Sequence, residues 1–486
     1  MGTERGHIRA LLACCAALLV VLAMPAAAAG MAGALDRGFN GDGKVSTVFP
    51  SATDAPSYPE YRLPYEFAPG RFAMAAAPGG KLVAANSKAI VEYLADGRKN
   101  PRFGGNGAVP IASIEGSHFQ LAEVAVDSQG RVLVAGTTKP RAAYGMANLS
   151  LPGPIPSVAT IERYLPNGQP DPTFGSDGVV NTDLGASPPT FQGKAYSGSA
   201  VAVVGLAVDQ ADRPILTGSA VVEVGRCATP RQSRYERSQA IVTRLTDGGA
   251  ADSTFAASGT KSISGLSWLG FPAMTSAGTL SVGLSTDPCP KEGPGKPSVL
   301  ASIGADGSID QGFGSGGFWS RSFTRVADLA VARSGEIFLV TRTIELSHGS
   351  WVESAPTIVG LQSDGSFDTR FGRGGRADPR LPRHASIAAI ASDAKGRVLL
   401  AGTVSRKPRH GGRRRLKFLL IRMTAAGRQD PHFGHHGRAT TGFGPNADVR
   451  ATDVLVDSTG HISVGGKLSD PRGGAPFALA RYMGGR

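Results

Sequence analysis

What this sequence lacks narrows it first. No stretch carries a strong 3.6-residue apolar period, so helical bundles and alternating α/β folds are set aside. There is no nucleophile motif, no histidine pair at zinc-ligand spacing and no phosphate-binding glycine loop, so no catalytic residue, metal site or cofactor is assigned. Cysteine is scarce at four residues: Cys14, Cys15, Cys227 and Cys289. The apolar run Ala10 to Met24 is fifteen residues long, short of the roughly 20 that span a bilayer.

That run has a different reading. Arg5 and Arg9 precede it, and Pro25 and the run Ala26 to Ala29 follow it, the layout of a secretory signal peptide over residues 1–29. Cleavage is expected after Ala29, or after Ala34 at the end of Ala32-Gly33-Ala34. The mature protein is then expected in the secreted, periplasmic or cell-envelope space, with no stable membrane span. Cys14 and Cys15 leave with the signal, and Cys227 and Cys289 remain as an even pair in an oxidising compartment. Loss of Glu4, Arg5 and Arg9 leaves 49 basic against 37 acidic residues, a net charge of +12. Such an excess favours acidic partners, with an envelope glycan or an envelope protein ahead of nucleic acid, because export removes the chain from the genome.

What the sequence has in quantity is glycine, 66 residues, and one hairpin written seven times. Val124 to Gly136, VAVDSQGRVLVAG, sets two β-branched strands around the polar turn Asp127 to Gly130. The design returns at Met74, Leu206, Met274, Leu329, Ile390 and Val454. An apolar strand ending in a polar glycine turn follows each hairpin, as in Ile161 to Gly168 and Leu420 to Gly427. An Asp-x-x-Phe-Gly-x-x-Gly turn follows in turn, as in Asp171 to Gly178, with Asn100 and Ala256 as departures. Its phenylalanines, Phe39, Phe103, Phe174, Phe255, Phe313, Phe371 and Phe433, recur every 58 to 81 residues. Each unit therefore holds four strands, A to D, and four antiparallel strands repeated seven times predict an all-β, seven-bladed β-propeller over residues 35–486. The N-terminal segment Leu35 to Val48 is a lone D unit, and Val454 to Met483 supplies A, B and C alone. Pairing the two would complete a seventh blade and remove two exposed sheet edges.

These linked motifs resemble the delta-60 repeat, a bacterial propeller-type repeat, over essentially all of residues 35–486. The resemblance implies the propeller fold and an exported location. It supplies no catalytic residues.

The repeated acids read as architecture. Asp127, Asp209, Asp393 and Asp457 are placed to accept from backbone amides two or three residues on, and Asp36, Asp171, Asp310, Asp368 and Asp430 are placed likewise. The phenylalanines read as wedges between blades. His432, His435 and His436 share one turn and read as solvated. Function is expected on the face bearing the B-to-C and D-to-A connections, where all the long, dissimilar segments fall: 49–70, 137–157, 181–200, 220–239, 285–297, 342–355 and 403–415. Two of them carry candidate ligand-binding residues. One is the basic loop with Arg406, Lys407, Arg409, Arg413, Arg414 and Arg415. The other presents Tyr58, Tyr61 and Tyr65 between prolines, suited to stacking. Cys227 and Cys289 lie in B-to-C segments of adjacent blades and are expected to form a disulfide. The expectation is a non-catalytic binding module. The alternative is a propeller lyase or hydrolase built on His118, His348, His384 and His410, with Glu353 and Asp378 near them in sequence.

Overall fold

A computed structural model describes residues 31–49, 72–112, 116–140, 156–191, 194–195, 198–226, 234–275, 278–284, 298–321, 324–347, 350–406, 415–445, 447–469 and 476–485. They form seven antiparallel sheets. Blades 1 to 6 span residues 73–110, 117–182, 201–263, 268–320, 324–377 and 385–441, and strands A, B, C and D follow one another across each sheet. The A strand of every blade lies beside that of the next, and blade 7 lies beside blade 1, so the ring is closed.

Blade 7 takes strands A to C from Asp448–Val456, Ile462–Ser469 and Phe477–Tyr482, and strand D from Lys44–Thr47. The register is antiparallel, with Lys44 opposite Ala480 and Thr47 opposite Phe477. The ring therefore closes through the two ends of the chain, as the split repeat implied.

Both faces of each sheet are covered by neighbouring blades, which explains why the B and C strands read as unbroken apolar runs rather than alternating ones. The core is thus a series of inter-blade layers. One joins Phe338, Ile358 and Phe371 of blade 5 to Ile387, Leu400 and Leu419 of blade 6; another joins Phe477 and Leu479 of blade 7 to Met74, Leu82 and Val91 of blade 1. Six A strands carry a bulge at equivalent positions, such as Val326/Asp328 and Ala451/Asp453. A bulge turns a side chain out of the ladder. In blades 5 and 7 the residue after the extra one is an acid that reaches the next A strand: Asp328 accepts from Ile390 N at 2.9 Å and Asp453 from Met74 N at 3.0 Å.

The structure corrects the reading of the long segments as loops. In blade 3 strands B and C run on to Arg226 and Arg234, and in blade 6 to Arg406 and Arg415. In blade 5 strand B continues to Ser347 and pairs with an extra strand, Ser350–Glu353. A further hairpin, Thr190–Phe191 with Lys194–Ala195, lies beside strand B of blade 3. The cause is local: β-branched and aromatic residues such as Val221, Val224, Ile344, Trp351 and Val352 favour extended chain past the blade edge. Among the described residues, hairpins project from this face at blades 3, 5 and 6.

Candidate functional site

The repeated acids and arginines interlock the blades on the short-turn face. Asp127 Oδ1 accepts from the amides of Gln129 at 3.0 Å and Arg131 at 2.9 Å, and Asp209, Asp393 and Asp457 repeat this pattern. The acceptor spans are two and four residues, one longer than the sequence suggested. In the Phe-Gly turn, Asp171 Oδ1 accepts from Thr173 N while Oδ2 takes the Arg163 guanidinium at 2.8 Å. Asp252 with Arg244, Asp430 with Arg422 and Asp36 with Arg481 do the same. The guanidinium is stacked 4.4 to 4.8 Å from the centre of the buried phenylalanine of that turn, a cation–π contact. Its far nitrogen donates to a carbonyl of the adjoining blade's turn: Arg163 to Asp247, Arg244 to Ala305 and Arg422 to Gly484. One side chain thus ties a turn, a wedge and a neighbouring blade.

Three blades depart from this pattern: in blade 4 the arginine position is Ser302, whose hydroxyl donates to Asp310 at 3.1 Å, and the other two rearrange the charges. In blade 1 the arginine is replaced by Glu92 and the aspartate by Asn100, which donates to Glu92 at 2.5 Å, while Lys81 pairs with Glu92 at 2.6 Å. In blade 5 the arginine position is Gly360, and Arg370 of the turn pairs with Asp368 at 2.9 Å instead. Burial opposes ionisation of Asp171 and Asp252, but hydrogen bonds from Thr173 and Thr254 and the arginine charges outweigh it and hold both carboxyls below the usual range. The repeated acids are therefore spent on architecture.

A buried acid the sequence reading missed stands at Glu162. The other blades carry Val91, Thr243, Ala301, Val359, Ile421 or Ala480 at that position. Glu162 is 1% exposed. Burial pushes its carboxyl up, and hydrogen bonds from the Tyr164 hydroxyl and the Ala112 amide only partly oppose this. It stitches strand C of blade 2 to the segment leaving blade 1. Its signal in the sequence was a lone carboxylate inside an apolar strand.

The long-loop face differs in charge. Cross-strand register sets like charges opposite one another at this end of the A and B strands: Arg325 opposite Arg342 in blade 5, and Arg450 opposite Lys467 in blade 7. At the ends of the projecting hairpins the backbone register places Arg226 opposite Arg234 and Arg406 opposite Arg415. Like charges set directly opposite one another across a ladder are destabilising. In blade 5 the cost is offset, because Glu353 lies 2.8 Å from Arg325 and 3.8 Å from Arg342. In blade 7 it is not: Arg450 and Lys467 are exposed, and neither has a carboxylate partner among the described residues. Between these blades, the connection into blade 6 exposes Arg383 and His384, and the His384 carbonyl accepts from Ser405 N at the base of the Arg406–Arg415 hairpin. Arg380 and His384 both adopt positive φ, 47° and 59°, a strained choice for residues other than glycine. Blades 5, 6 and 7 thus bring Arg325, Arg342, Arg383, Arg450 and Lys467 to this face, with Glu353 and Asp448 among them.

Of the residues singled out from the sequence, Arg406 and Arg415 are the paired last described residues of that hairpin. Lys407, Arg409, Arg413, Arg414, Tyr58, Tyr61, Tyr65, Cys227, Cys289, His348 and His410 lie outside the described residues. His118 and His384 stand in blades 2 and 6, which are not neighbours in the ring, so the structure does not bring them together. Glu353 is engaged by two arginines, and Asp378 caps the Arg380 amide at 2.7 Å. His432, His435 and His436 are exposed. Among the described residues, no group of three or more metal-ligating side chains converges, and no helix is long and apolar enough to cross a membrane.

The sequence matches no protein-family model, and no curated protein matches it significantly. In fold the chain is similar to a protein of unknown function from Dyadobacter fermentans, with 12% identity, a TM-score of 0.42, and coverage of 83% of this chain and 99% of that one. It is also similar to the polysaccharide lyase Uly1, with 7% identity, a TM-score of 0.47 and coverage of 90% and 98%. A gluconolactonase from Xanthomonas campestris gives 10% identity, a TM-score of 0.31 and coverage of 90% and 97%. Likeness at this level transfers no activity, and the functional reading rests on this chain's own residues.

Proposed function

We propose that this chain is an exported, non-catalytic binding module of the cell envelope or extracellular space, a propeller of delta-60 repeat type that engages an acidic polymer on its long-loop face. The observation that carries the reading is the basic pair Arg450 and Lys467, without a carboxylate partner among the described residues and opposed in register beside the Arg406–Arg415 hairpin. A fold gains nothing by aligning like charges across a ladder, whereas a polyanion laid over them would relieve the repulsion. The repeated acids support the same reading from the other side, since they are consumed in turns and blade contacts.

The test is retention on an immobilised uronic-acid polysaccharide, eluted with a salt gradient. Wild type is expected to bind at low salt and elute as screening rises. Arg450→Ser/Lys467→Ser should elute earlier, as should a chain with 407–414 replaced by a two-residue turn. Arg102→Ser/Arg373→Ser, which removes two exposed arginines from the short-turn face, should elute with wild type. Equal losses from both faces, or none from either, would contradict the assignment.

A further inference from the structure

In blade 2, strand C closes its turn with two bonds: Leu165 N donates to Gln169 O at 2.8 Å, and Gly168 N donates to Leu165 O at 2.8 Å. Asn167 O, just before that glycine, accepts from Gly104 N of the preceding blade at 2.9 Å. Blades 3 and 6 repeat all three bonds around Gly249 and Gly427.

In blade 7 the same three bonds are made across the two ends of the chain. Met483 N donates to Ala34 O at 2.9 Å, Gly33 N donates to Met483 O at 2.7 Å, and Ala32 O accepts from Gly434 N of blade 6 at 2.7 Å. Gly33 has φ 82°, as Gly168 does, and a Cβ on either would lie 2.6 Å from the amide nitrogen of the preceding blade's Phe-Gly turn. Met483 and Gly484 therefore supply the first half of the turn, and Ala32, Gly33 and Ala34 the second. The C-terminal half is used as well, since Gly484 O accepts from Arg422. Upstream, Met31 is 77% exposed.

We propose that Ala32 to Ala34 stay in the mature chain as half of a blade 7 turn, so that of the two cleavage positions the one after Ala34 is excluded. The cut falls after Ala29, water adding across the Ala29–Gly30 bond to leave a carboxylate on Ala29 and a new ammonium end on Gly30. A cut after Ala34 would take away the half-turn that receives Met483 and Gly434. The cut itself rests on the export reading; the need for Ala32 to Ala34 does not.

Two measurements separate these. Mass spectrometry of protein exported with its own leader should give a chain beginning at Gly30, and one beginning at Leu35 overturns the proposal. Leaderless chains starting at Gly30 and at Leu35 are then melted side by side. The Leu35 chain is expected to melt lower by at least about 3 °C, and equal midpoints overturn the proposal by removing the reason for the cut. A chain that stays uncut refutes both the export reading and the cut, while the melting comparison still decides whether the half-turn is needed.

Discussion

Arg163→Met is expected to lower the unfolding free energy by about 3 to 5 kcal/mol, the range for breaking a buried ion pair by removing one partner. The side chain is 0% exposed and donates to Asp171, to the Asp247 carboxylate and to Thr173. Its loss leaves Asp171, 2% exposed, with its nearest remaining cation, Arg131, at 3.9 Å. Because Arg163 helps hold the Asp171 carboxyl low, that acid contributes stability above its unfolded pKa which is lost as pH falls through the lower folded value. The variant should therefore lose this share at neutral pH and show a shallower acid limb. Arg163→Met/Asp171→Asn should be less damaged than the two single changes summed, with a coupling of about 0.5 to 3 kcal/mol. Blade 1 shows that the fold accepts such joint replacement, since Glu92 and Asn100 exchange the two roles together. Urea unfolding across pH 3 to 8 measures all three variants, and strict additivity would mean that the pair is not a unit.

Phe174→Ala should cost a comparable amount, about 3 to 5 kcal/mol. The ring is fully buried, lies under Arg163, and meets the turn of blade 3, where a Cβ on Gly249 would lie 3.1 Å from the ring edge. Truncation opens a cavity that neither blade can collapse into without breaking the Gly175 N to Gly248 O bond between them. Leucine at the same position should recover part of the loss by refilling volume while forfeiting the cation–π contact. A thermal midpoint unchanged by Phe174→Ala would remove the phenylalanine from the inter-blade joint.

Much of this architecture was legible in the chain because the repeat states it seven times. Blade number followed from counting Phe39 to Phe433, and closure from the incomplete units at the two ends. The turn role of Asp127 followed from its place before a glycine. Three things were not legible. The register that opposes Arg450 to Lys467 depends on a bulge at Ala451/Asp453 that no local pattern announces. The hairpins beyond the blades were hidden because a long connection reads as irregular until its strands are seen to pair. The share of Ala32 to Ala34 in a turn begun at Met483 joins residues some 450 positions apart, and only the closed ring brings them together.

Amide exchange across the closing sheet tests the central claim most directly. If the N-terminal strand is an integral part of blade 7, the ladder amides of Lys44–Thr47 exchange as slowly as those of Phe477–Tyr482 and lose protection together with them as denaturant is added. Exchange at Lys44–Thr47 at free-peptide rates, with Phe477–Tyr482 still protected, would contradict a ring closed by its two ends.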